Sequence, residues 1–251
     1  MIKKLSIFAA LLIVVGIVGS FLTYESEQIQ AMDFVETVDV SNIDDITIST
    51  VSTDVIIETS KTATEATIEL IGKAKPSQFP NLTVDTRDNE LVIDVEMQTE
   101  KQWFDFKVNF EFYNPSLQLV IVLPEKDYEH LDLSTVSGDV VIENITIKDN
   151  VISTVSGDVE TTKFIGKHEV STTSGDVNIM NDDISHPVTV DSVSGDVYII
   201  VAKQPKNATF SFDTISGDTL IFDKDINNFN FGDGSINVNV ETISGDIEVS
   251  E

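Results

Sequence analysis

The 251 residues are 41% hydrophobic and 23% charged, which is ample for a folded core and excludes disorder as the default. Forty-three acidic residues against 15 basic ones give a net charge of −28 with a single arginine, Arg87, which excludes nucleic-acid and nucleotide binding, both of which rest on Lys and Arg neutralising phosphates. Cysteine is absent, which removes disulfides, thiolate metal sites, cysteine nucleophiles and a lipidated cysteine anchor and leaves stability to packing.

Lys3 and Lys4 precede an apolar run from Leu5 to Leu22, interrupted only by Ser6 and Ser20. At about 1.5 Å per residue the run spans roughly 27 Å as a helix, near the hydrocarbon thickness of a bilayer. Two lysines before it and none close behind it place the N-terminus in the cytoplasm and the remainder outside. The expectation is a retained single-pass anchor over residues 1–24, a short polar linker over 25–33, and an extracellular part carrying a net charge of about −30. A cleaved signal peptide is the alternative, but its apolar core is normally about 7 to 15 residues long. Val18-Gly19-Ser20 is also a poor cleavage site, because it lies inside the apolar run.

Residues 34–130 read as an irregular β region continuous with the solenoid of residues 131–251. Asn81–Asp85 and Leu91–Val95 flank Asp88-Asn89, the pattern of a hairpin. Phe104, Phe106, Val108, Phe110 and Phe112 then alternate with Asp105, Lys107, Asn109 and Glu111, giving one long amphipathic strand whose aromatic stripe reads as core rather than as a sugar platform. Leu117–Pro124 reads as a buried strand ending at proline.

From residue 131 to 251 the chain repeats itself. Ser-Gly-Asp occurs six times, at Gly138, Gly157, Gly175, Gly195, Gly217 and Gly245, with spacings of 19, 18, 20, 22 and 28. A degenerate copy without the glycine stands at Ser49–Ile56. Apolar pairs precede each glycine (Leu131 and Leu133, Val188 and Val190, Phe210 and Phe212, Val238 and Val240), and others come after it (Val140 and Ile142, Val177 and Ile179, Val197 and Ile199, Ile247 and Val249). Both sets alternate with period two, so each is a half-buried strand. Their parity differs, so a bend at Ser134-Thr135 is needed to turn Leu133, Val136 and Val140 toward one core. The glycine is expected to supply positive φ at this corner and the aspartate to accept turn N–H groups.

Short strands and one faithful corner per roughly 20 residues describe a coil of a β-solenoid. A β-sandwich of hairpins is the alternative. Phe229–Ile236 reads as an inserted hairpin, and the chain stops at Glu251 just after the last strand, which leaves an open end for Glu248 and Glu251 to protect.

Catalytic groups are sparse. His130, His168 and His186 are read as lying between strands without metal-ligand spacing, and no serine sits in a Gly-x-Ser-x-Gly elbow. No enzyme and no cofactor is expected. Asp139, Asp158, Asp176, Asp196, Asp218 and Asp246 form a column, whose mutual repulsion Ca²⁺ can relieve through oxygen ligands; the simpler reading is that each accepts turn N–H groups and stays solvated.

The recurring Ser/Thr-x-Ser-Gly-Asp-Val-x-Ile, with an apolar strand ending in Leu-Pro before it, resembles the bacterial putative-adhesin family of β-strand-repeat proteins over about residues 36–251. With the anchor it looks like the LiaG-like type of Gram-positive bacteria. The resemblance implies a right-handed β-solenoid in the cell envelope, often beside envelope-stress systems, and brings no catalytic residues. The expectation is a non-enzymatic, adhesin-like interaction protein, held to the membrane through Leu5–Leu22 and facing an envelope protein or a wall polymer. A carbohydrate-active solenoid enzyme and a Ca²⁺-stabilised stalk are the alternatives.

Overall fold

A computed structural model describes residues 28–97 and 116–251; the expected anchor at Leu5–Leu22 and the phenylalanine stripe Phe104–Phe112 lie outside the described residues. Apart from a 3-10 turn at Pro76–Gln78, the regular elements described are all strands, so no described helix is long and apolar enough to cross a membrane. In chain order they are β1 (Gln30–Val38), β2 (Asp45–Ser49), β3 (Asp54–Ser60), β4 (Ala66–Ala74), β5 (Pro80–Arg87), β6 (Glu90–Met97), β7 (Ser116–Pro124), β8 (Asp127–Ser134), β9 (Val140–Glu143), β10 (Thr146–Ser153) and β11 (Val159–Thr162). Then come β12 (Ile165–Thr172), β13 (Val177–Asn181), β14 (Val188–Ser192), β15 (Val197–Val201), β16 (Ala208–Ser216), β17 (Thr219–Ile221), β18 (Lys224–Asp225), β19 (Asn228–Phe231), β20 (Ile236–Ser244) and β21 (Ile247–Ser250). β1 therefore begins inside the segment read as a linker.

The strands form two sheets. One has 11 strands in the order β1-β4-β7-β3-β9-β11-β13-β15-β21-β17-β18, the other 10 in the order β19-β16-β20-β14-β12-β10-β8-β2-β6-β5. A regular coil is one strand of the ten-stranded sheet, a Ser-Gly-Asp corner, and one strand of the other sheet. Every coil runs the same way round, so neighbouring coils pair in parallel, as β8, β10, β12 and β14 do. This is a solenoid-like stack whose flattened coils enclose the core between two sheets.

The period-two pattern does this directly. Val140, Val159, Val177, Val197 and Ile247 are in register and buried on one sheet, facing Leu133, Ile152, Val170, Val190 and Val240 on the other. Each such side chain contributes about 1.5–3 kcal/mol by leaving water.

Coil order in space departs from coil order in sequence at both ends. The last coil, β20–β21, is inserted between β14–β15 and β16–β17, so the final strand is interior and not an open end. The chain skips one layer after β15 to form β16–β17, and residues 222–235 then lead it back to fill that layer, which is the physical reason for the spacing of 28. Phe229–Ile236 is accordingly not a hairpin: β19 pairs antiparallel with one edge of β16, while β20 pairs parallel with the other.

The N-terminal end mirrors this. β2–β3, the degenerate copy, packs directly on β8–β9, and the later pair β6 and β7 lies outside it. Antiparallel strands then close the stack: β4, β1 and β5 at one end, β18 and β19 at the other. The β5–β6 hairpin turns at Asp88-Asn89 as expected, with Asp88 at φ 53°. Lys126 ties down the loop before β2, its Nζ donating to the carbonyls of Val40, at 2.9 Å, and Ile43 while lying 4.9 Å from the Tyr128 ring centroid.

Candidate functional site: the corner ladder

Each corner takes its shape from five residues. In the coil of β8 and β9, Thr135 points inward, Val136 and Ser137 point out, Gly138 is buried, and Asp139 points out. The bend lies at Val136-Ser137 and not at Ser134-Thr135: the alternation of β8 runs on so that Thr135 takes the interior place, and Val136 is 47% exposed. The threonine hydroxyl is useful inside because it accepts the glycine N–H, from Gly138 to Thr135 at 3.2 Å, Gly157 to Thr154 at 3.0 Å and Gly175 to Thr172 at 3.0 Å. Thr135 also lies 2.9 Å from the Thr50 hydroxyl in the degenerate copy.

The glycine is required for a reason other than the one expected. Among the six corner glycines positive φ occurs only at Gly195 (152°) and Gly245 (158°), whereas Gly138, Gly157, Gly175 and Gly217 do not adopt it, so close packing is the reason common to all six. A Cβ at Gly157 would sit 1.9 Å from the carbonyl oxygen of Gly138, and one at Gly175 1.9 Å from that of Gly157. The corners stack so closely that only a hydrogen fits between backbones. Thr53 takes the glycine's place in the degenerate copy and supplies the carbonyl beneath Gly138.

The aspartates form a continuous ladder. Each Oδ1 accepts the N–H of the aspartate one coil on: Asp54 from Asp139 at 3.1 Å, Asp139 from Asp158 at 3.0 Å, and Asp158 from Asp176 at 2.9 Å. The ladder continues through Asp196, Asp246 and Asp218, each step 2.8 Å. Asp246 thus stands between Asp196 and Asp218, and Asp54 extends the column by one rung beyond the six Ser-Gly-Asp copies. None of the seven is ion-paired among the described residues. Nor, among those residues, do three or more His, Asp or Glu gather as a set able to hold a metal ion.

The histidines are placed differently from the expectation. His130 is on β8 and His168 on β12; only His186 lies between strands. His168 takes an inward position because a partner is already there: Asn150, its register neighbour on β10, puts Nδ2 2.6 Å from Nδ1, while Thr161 lies 3.4 Å from Nε2. Burial pushes this imidazole down to about 4, so it is neutral at pH 7. His130 is on the outer face, 3.8 Å from Asp149. Arg87 sits at the β5–β6 hairpin, bonded to Asp85 at 2.9 Å. His168 and His186 line one small cavity of about 10 Å³ with Asn181, Asp183 and Ser185, whereas His130 and Arg87 are not part of it. An open groove of about 310 Å³ between loops 183–185 and 203–207 carries Asp183, Lys203 and Lys206 but no histidine.

A family model described as Toastrack DUF4097 matches residues 43–163 and again 129–250. The chain belongs to the Toastrack family. The two Toastrack matches together span the degenerate copy, the outer N-terminal coil and all six Ser-Gly-Asp corners. No curated protein matches the chain. Among solved structures, a putative cell adhesion protein from Clostridium sporogenes is 14% identical, with 88% of this chain and 99% of that one covered and a TM-score of 0.50, a likeness of fold. A putative adhesin from Bacteroides fragilis is 14% identical over 89% of this chain and 98% of that one (TM-score 0.41). A putative lipid binding protein from Parabacteroides distasonis is 13% identical over 86% and 96% (TM-score 0.38).

Proposed function

We propose that this Toastrack chain is a non-enzymatic, adhesin-like interaction module of the bacterial cell envelope, of the LiaG-like, Gram-positive type. In this reading Leu5–Leu22 anchors it in the membrane with the N-terminus in the cytoplasm. The right-handed stack stands outside the cell, where it serves envelope-stress signalling. The observation that carries the reading is the corner ladder: hydrogen bonds of 2.8–3.1 Å between aspartates lock seven coils into one stiff edge that repeats the same outward groups. A stiff repeated surface suits recognition of an extended partner. Catalysis needs convergent groups, and here Arg87 and His130 lie apart, while His168 and His186 share only a cavity of about 10 Å³.

Proximity cross-linking of the full-length protein in intact cells tests this. Reproducible capture of one membrane or wall protein supports the module. Recovery of glycan alone favours adhesion to a wall polymer or carbohydrate processing, and polymer cleavage by the purified protein would overturn the non-enzymatic reading. External protease that spares the protein in intact cells but digests it after lysis would overturn the topology.

A further inference from the structure

Beside the aspartates runs a second column, three residues earlier at each corner. Val51, Val136, Val155, Val193, Ile243 and Ile215 are 46%, 47%, 45%, 45%, 51% and 79% exposed, with only Thr173 breaking the series. We propose that this edge, apolar column and aspartate column together, is the docking surface for an extended segment of a partner protein in which Lys or Arg alternates with apolar side chains. The proposal deepens the interaction-module reading and rests on it.

The apolar column is held in place by the backbone. The carbonyls of Val51, Val136, Val155 and Val193 each accept a serine N–H from the next coil, at 2.9, 2.9, 3.0 and 3.0 Å. β-Branched side chains are stiff at χ1, so a partner loses little entropy to ordering this surface. Single exposed apolar residues are ordinary, but two aligned files of three, Val51, Val136 and Val155 on one side of Thr173 and Val193, Ile243 and Ile215 on the other, make a repeated apolar edge of the kind that marks an interaction site. Seven rungs at about 4.8 Å extend roughly 29 Å, the length of about nine residues of extended chain.

Charge selects the occupant. Seven carboxylates without an ionic partner among the described residues lie along the same edge of a chain with net charge −28. They repel a second copy of this edge, and they attract Lys and Arg. A purely basic segment leaves the valines wet, and a purely apolar one strips water from unpaired carboxylates. A segment carrying both satisfies both columns.

The test uses the full chain in neutral detergent and a fluorescent ten-residue peptide of alternating lysine and valine. Lysine–serine and glutamate–valine peptides of the same length are the controls. The lysine–valine peptide should bind at least about tenfold more tightly than either control. Val136→Ser/Val155→Ser/Val193→Ser should weaken it by about tenfold or more, whereas Val151→Ser, on the outer face of β10, should not. Asp158→Asn/Asp176→Asn keeps the Oδ1 acceptors of the ladder, so it should fold normally while weakening binding and flattening its salt dependence. Unchanged thermal melts confirm that each variant is folded.

The proposal is overturned by no binding, by equal binding of the lysine–serine peptide, or by binding that the triple variant leaves intact. A concentration-dependent dimer abolished by the triple variant would also overturn it, by assigning the edge to self-association. Any of these failures leaves the interaction-module reading standing if cellular cross-linking still captures one partner protein, so the two are separable.

Discussion

Gly157 shows how narrowly a single residue is specified at the corner. Its Cα faces the Gly138 carbonyl, so Gly157→Ala places a Cβ 1.9 Å from a backbone atom that cannot rotate away. The expected loss is about 3 kcal/mol, read as a lowered denaturant midpoint, whereas an alanine exchange justified only by turn flexibility would cost about 1 kcal/mol or less. Thr154→Val keeps the shape but removes the acceptor for the buried Gly157 N–H, for an expected loss of about 1–3 kcal/mol. His168 supplies a pH signature. Its pKa falls from an ordinary 6.5 to about 4 through burial, so as pH drops the unfolded chain takes up the proton first. The stability His168 contributes is intact above pH 6.5, is lost progressively down to about pH 4, and changes no further below that. The total is on the order of 3 kcal/mol. Urea midpoints measured against pH should show this component in the wild type and lack it in the Asn150→Leu/His168→Leu double variant, which removes both members of the buried pair together.

At the scale of elements, the inserted coil makes the C-terminus structurally central. Truncation after Ser235 removes β20 and β21, which pair on one side with β14 and β15 and on the other with β16 and β17. Four strand edges lose their partners and the cap of β18 and β19 loses its support. Hydrogen exchange on the truncated chain should therefore show protection lost over residues 188–221 while β8 to β11 stay protected. A simple sequential stack would lose only its terminal coil. The exchanged order also leaves a local trace. Gly195 and Gly245 donate to Ser244 and Ser216 of neighbouring coils, not to their own corner hydroxyls, and the buried Ser192 Oγ and Thr242 Oγ1 make no hydrogen bond.

For the whole molecule, the net charge of −28 works against compactness, and added salt should raise the melting temperature by screening it. The aspartate Oδ1 atoms are already engaged by backbone N–H groups, so melts in Ca²⁺ and in chelator at matched ionic strength should coincide. A Ca²⁺-specific rise would establish the stalk reading instead. The sequence by itself determined the strand class, the coil length, the corner position and the alternating core, because period two and a repeated tripeptide are local consequences of backbone geometry. It also yielded the aspartate column, since identical corners must stack. Only the tertiary structure decided the order of the coils, for a parallel strand pairs equally well with any coil of the same pattern. Tertiary contact likewise decided that Thr135 turns inward and Val136 outward, that glycine is demanded by the carbonyl of the coil below, and that His168 is interior. Each of these depends on an atom about one coil away in sequence and one strand away in space, which no local pattern encodes.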